Sequence, residues 1–182
     1  MTRQSFEQLK AMLWSESGAR VFAVIDGGRV PDLAARLAAA DVLGADTLWR
    51  GAQPPARAAV APYVVELSMD SPFTDWLLGK AGVDLGSWGV VGVGPASLLQ
   101  VRELGRHLSE VEGPSGQARE LVWYDPELWT ALLPRLTAGQ LSEAFGPLRT
   151  WVAIRRDVWT WLTLSAGDVV VDARQCLPAE TA

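Results

Sequence analysis

Four times within the first 126 residues, an apolar run is followed by a proline that opens an amphipathic segment. RVFAVID precedes Pro31, PYVVEL precedes Pro72, SWGVVGV precedes Pro95 and RELVWYD precedes Pro126. Proline fits the first turn of a helix, where its missing N–H has no intrahelical bond to lose, and it cannot continue a strand ladder. Each run therefore reads as a strand and each proline as the start of a helix. This alternation restricts the chain to the α/β class, and we expect a single mixed, partly parallel β-sheet with flanking helices.

Local signals refine the pattern. Phe6, Leu9 and Leu13 recur at helical spacing, so about the first sixteen residues read as an amphipathic helix. Ser71 before Pro72 and Asp125 before Pro126 are N-cap residues, and Thr137 with Gln140 forms a capping box. The helix after Ser71 is expected to stop near Gly79 or Gly82. DTLWRGAQPPARAAVA, rich in Gly, Pro and Ala, reads as a loop carrying Trp49. LRTWVAI and RDVWTWLTL read as a late β-hairpin, with GDVVVDA following in the composition of a further strand. At 182 residues with 49% apolar and 20% charged residues, the chain is expected to fold as one domain, 1–182, around a core that needs no disulfide.

The inventory excludes several chemistries. Sixteen basic against twenty-one acidic residues give a net charge of -5, with no basic run longer than Arg155–Arg156, so no nucleic acid and no anionic membrane is expected as partner. No segment approaches the roughly 18 apolar residues of a membrane span, and the start lacks the apolar stretch of a signal peptide. One cysteine, Cys176, forms no intrachain disulfide, which fits a cytoplasmic protein. One histidine, His107, and one cysteine build no Cys/His zinc site, and GxSxG and GxxxxGK[ST] are missing. No cofactor is expected: VVGVGPASLL has a GxG, but Ser97 stands at the third glycine position and Pro95 removes an N–H that would face a phosphate.

The remaining candidates are carboxylates and tryptophans. Asp26 and Asp125 each close an apolar run, where ligands gather at the carboxyl ends of strands, so a small-substrate hydrolase-type enzyme using both is one reading. A turn role for Asp26, before two glycines, and an N-cap role for Asp125 are the structural alternative. His107, at the edge of an apolar helical stripe, reads as a half-buried packing residue. In RDVWTWLTL, period-2 alternation puts Val158, Leu162 and Leu164 on one face and Arg155, Asp157, Trp159 and Trp161 on the other. Trp and Arg are the residues of binding hot spots, so Trp159, Trp161 and Arg155, with Trp49, form the candidate partner face. Coverage of that strand on both sides is the alternative.

The motif order FAVIDGG, LWRGA, APYVVEL, HLSEV, WYDPELWTALLPRL, FGPLRTW, from Val21 to Trp151, resembles domain-of-unknown-function family 4123. These are effector adaptors or chaperones of bacterial type VI secretion. The resemblance implies a cytoplasmic, non-enzymatic protein that binds a toxic secreted effector and helps load it onto the valine-glycine-repeat spike protein. The family's Tyr-Asp-Pro falls on Tyr124, Asp125 and Pro126, and its helical histidine falls on His107. Where the family often has basic residues around this motif, Val122 and Glu127 stand here, so no basic pocket is carried over and Asp125 reads as a cap. A generic interaction module outside secretion is the remaining alternative.

Overall fold

The computed structural model describes residues 2–112 and 115–177. Its elements are β1 (Thr2–Ser5), α1 (Phe6–Leu13), β2 (Arg20–Ile25), α2 (Leu33–Ala39), β3 (Gly44–Thr47), α3 (Pro55–Ala58) and β4 (Tyr63–Glu66). A continuous helical segment follows: α4 (Pro72–Asp75), a π-helical stretch (Trp76–Ala81) and α5 (Gly82–Leu85). Then come β5 (Gly89–Gly94), α6 (Leu98–Ser109), β6 (Glu110–Glu112), β7 (Ala118–Glu120) and α7 (Pro126–Leu132), the last extended by a 3₁₀ turn (Leu133–Arg135). The chain closes with α8 (Ala138–Phe145), β8 (Thr150–Arg155), β9 (Val158–Ser165) and β10 (Asp168–Leu177).

Eight strands form one mixed sheet in the order β1-β10-β9-β8-β5-β2-β4-β3, and β6 with β7 forms a separate ribbon. Among the described residues only β1 and β10 are hydrogen-bonded neighbours running parallel; every other adjacent pair is antiparallel. Two helical crossovers, β2 to β3 and β4 to β5, do join parallel strands, as the alternation implies, but not neighbouring ones, whereas the helical connection from β5 to β8 joins antiparallel neighbours. β4 and β5 both run antiparallel to β2, which lies between them, and β3 runs parallel to β2 with β4 between. Two crossovers interleave, so each parallel pair is prised apart by an antiparallel strand.

Both faces of the sheet are covered, making three layers. Val21, Ala23 and Ile25 of β2 pack with Leu9 and Leu13 of α1, Leu33 of α2, and Leu77 and Leu78 of the π-helical stretch. Phe22 and Val24 point the other way, toward Val101 of α6, Trp129 of α7 and Phe145 of α8. Apolar residues at both parities of β2 are the pattern of a strand buried on two faces. Most of the nine tryptophans serve this packing. Trp123, Trp129 and Trp151 form a triangle with ring centroids 5.1–5.8 Å apart, and Trp123 and Trp151 donate their indole N–H to Gly105 O and Ala144 O.

Local caps form as expected, while several element assignments change: the helix after Ser71 runs past Gly79 and Gly82 to Leu85, and Pro31 and Pro95 precede the Asp32 and Ser97 caps rather than opening their helices. Ser71 accepts from Phe73 N, and Thr137 and Gln140 form the capping box. Ser97 and Gln100 form another, so the residue that broke the nucleotide fingerprint is itself the cap of α6. Another departure lies at the N-terminus, where Thr2–Ser5 pairs with β10 and the helix begins only after the Ser5 cap. In the presumed loop, Gly44–Thr47 is an edge strand and Pro55–Ala58 a helical turn. VWYD is not a strand: β7 ends at Glu120, and the following turn brings Trp123 onto α6.

Candidate functional site

Asp26 and Asp125, 99 positions apart in sequence, meet at one guanidinium. Asp26 follows β2, its N–H donating to Trp88 O at 2.8 Å, and its Oδ1 accepts from Gly28 N at 2.8 Å. Asp125 caps α7, its Oδ1 accepting from Glu127 N and Leu128 N, both at 3.0 Å. Arg29 Nη2 donates to Asp125 Oδ2 at 2.6 Å, Arg29 Nε lies 3.5 Å from Asp26 Oδ2, and Nη1 donates to Ser87 Oγ. One arginine thereby ties the β2 turn, the segment before β5 and the start of α7. Both oxygens of Asp125 are engaged by donors, which leaves it an acceptor with structural duties. Asp125→Ala should lower stability by about 1–2 kcal/mol through the lost cap, read by urea unfolding.

Around this clamp lies a polar cleft. A cavity of about 220 Å³ is lined by Arg29, Ser87, Asp125, Glu127, Arg155 and Arg156 among others. It shares Gly86, Glu127, Arg155 and Arg156 with a second cavity of about 600 Å³ beneath α7. Arg155 lies 3.4 Å from Glu127. It is therefore not beside Trp159 and Trp161 as the alternation implied, because β8 ends at Arg155 and the turn Arg156–Asp157 breaks the strand.

Trp159 and Trp161 are not an open face. They are 1% and 8% exposed, stacked with centroids 5.7 Å apart in the core beneath α1. Phe6 of α1 meets Trp159 edge-on at 6.4 Å, and the Arg174 guanidinium lies 5.2 Å from the centroid of the Trp161 ring. Leu162 and Leu164 do face the opposite core, so the period-2 assignment holds and the second-face exposure does not. The strand is covered on both sides because α1, tethered through β1 to β10, lies over it.

His107 is exposed in the last turn of α6 rather than half-buried. Tyr124 is buried, and burial, followed by the negative charges of Asp26 and Glu120, holds its phenol pKa well above the ordinary value. A raised phenol pKa in the folded state contributes stability that is complete below about pH 10 and is lost as pH rises beyond it. Unfolding free energy measured across that range should fall, with phenolate absorbance from Tyr124 appearing only as the protein unfolds.

Trp49 is half-buried at a third cavity, of about 360 Å³, lined by Leu48, Arg50, Arg57, Arg106, Ser109, Glu110, Arg119 and Glu120. Its Nε1 donates to Glu120 Oε1 at 2.6 Å, and the Arg57 guanidinium lies 4.5 Å from the ring centroid. Arg106 is fixed from below, donating to Leu48 O at 2.9 Å and Thr47 O at 3.2 Å. The local sequence marks Trp49 but not its partners, which come from α3, α6 and β7; Glu120 is 71 positions away. Arg29 was missed for the same reason, its bond to Asp125 spanning 96 positions.

Among the described residues no group of three or more His, Cys, Asp or Glu could hold a metal ion, and no helix is long and apolar enough to cross a membrane. The family model described as Domain of unknown function (DUF4123) matches residues 21–143. No curated protein and no solved structure matches the chain.

Proposed function

The chain belongs to the DUF4123 family, and from that premise we propose that it is a type VI secretion adaptor. In this reading it is non-enzymatic, acts in the bacterial cytoplasm, binds a toxic effector and helps load it onto the valine-glycine-repeat spike protein. The observation that carries the reading is the Trp49 cleft. It combines Trp and Arg, the residues that dominate binding hot spots, at a concave part of the surface. Further support comes from Asp125, whose carboxylate oxygens are committed to backbone N–H groups and to Arg29, where a general base would need one free for substrate.

An affinity-tagged chain purified from cells carrying the secretion system should bring down the spike protein and one toxin, identified by mass spectrometry. Gel filtration of the co-expressed trio should show co-elution, as expected for a specific interface of at least about 1,000 Å². Separate elution at micromolar concentration overturns the adaptor reading.

A further inference from the structure

We propose that the Trp49 cleft binds a carboxylate-bearing segment of the partner protein, with Arg50, Arg57 and Arg119 receiving the acid and the Trp49 ring packing against the residue beside it. This rests on the adaptor reading in taking the ligand to be a protein segment. The charge balance is the first reason. Four arginines line the cleft against two glutamates, in a chain whose net charge is -5, so this surface opposes the sign of the whole.

The second reason is unspent donor capacity. A charge-assisted N–H···O bond is about 2.7–2.9 Å long. Arg50 reaches Glu103 only at 3.6 Å and Arg57 reaches Glu120 only at 3.9 Å, and their side chains are 67% and 54% exposed. Arg119 is exposed beside them. By contrast, Arg106 is 12% exposed and already donates to two carbonyls and to Glu103 at 2.8 Å, so it shapes the floor while the outer arginines face solvent. A planar carboxylate matches the fork of a guanidinium in two parallel bonds.

Cavity size and neighbours select a peptide acid over a polyanion. About 360 Å³ lies near the lower end of ligand clefts and admits one or two side chains. Glu110 and Glu120 at the wall, with Glu103 behind Arg50, repel a run of phosphates but leave room for one acid between the arginines. The half-buried Trp49 ring, backed by the buried Leu48, offers apolar surface to a neighbouring aromatic or aliphatic residue.

The test is titration of the full chain, with isotopically labelled indole nitrogens, by a blocked peptide of alternating Asp and Ala carrying one central Phe. Controls are the same peptide with Asn for every Asp, a single-stranded oligonucleotide and anionic vesicles. The Trp49 indole resonance, assigned by its loss in Trp49→Phe, should shift saturably with the acidic peptide and not with the Asn peptide. Arg50→Gln with Arg57→Gln should weaken binding at least tenfold while the unfolding midpoint stays unchanged. Absence of a saturable shift, an equal response to the Asn peptide, or a stronger response to oligonucleotide or vesicles overturns the proposal. If the titration succeeds while the purification returns neither spike nor toxin, the cleft's chemistry stands and the adaptor reading falls. If the purification succeeds while the titration fails, the adaptor reading stands and the proposal falls.

Discussion

Trp159→Ala should lose about 3–5 kcal/mol of folding stability, read as a lowered urea midpoint with an unchanged slope. Its ring is 1% exposed between Phe6 of α1 and Trp161 of the same strand, so truncation opens a large void that the flanking layers fill only in part. Trp161→Ala should fall at the lower end of that range. Its ring is 8% exposed at the rim, under the Arg174 guanidinium. A surface truncation costs less than about 0.5 kcal/mol, so the experiment separates core from interface without knowing any partner. A variant of Trp159 with near-native stability would contradict the placement of α1 over the sheet.

Gly89→Ala should be as damaging, at about 3 kcal/mol or more, for a backbone reason. Gly89 opens β5 with φ at 150°, a conformation that side chains rarely adopt. A Cβ there would stand 1.9 Å from Val24 O and 2.9 Å from Val24 C, both backbone atoms of the adjacent strand β2. Neither strand can move aside, because β2 is also bonded to β4 and β5 to β8. Gly139 provides the contrast. It lies in α8 with nothing within 4 Å of its hypothetical Cβ, so Gly139→Ala should raise stability by about 0.5–1 kcal/mol. Thermal unfolding of the two variants side by side checks both signs.

What the sequence makes legible is what a few neighbouring residues decide. Ser71, Asp125 and Thr137 cap helices because each needs only the N–H groups two or three positions ahead. RVFAVI and GVVGVG are strands because apolar residues at both parities have no helical alternative so short. What escapes is whatever distant segments decide. VWYD has strand composition, yet Trp123 is worth more against Gly105 and the Trp129 and Trp151 rings than in a ladder. The exposure of Trp159 and Trp161 depends on where α1 lands, which their own strand does not encode. Arg29 is invisible as a partner of Asp125 until the sheet folds back on itself. At the candidate site, Trp49 stood out by residue type alone, while Arg57, Arg106 and Glu120 carry no local signal of belonging with it.

The pairing of β1 with β10 bears on the order of folding. Gln4 accepts a hydrogen bond from Arg174 across a separation of 170 positions, and β10 is the strand that holds β1 in the sheet. The place of Thr2–Ser5 in the sheet is thus complete only when Arg174–Leu177 lies beside it. Closing so long a loop adds little to the equilibrium cost, since each doubling of length costs about 0.6 kcal/mol, but it places this contact late in the order of events. The face over Trp159 is therefore sealed only when β10 is in place to hold β1, and with it α1, against the sheet.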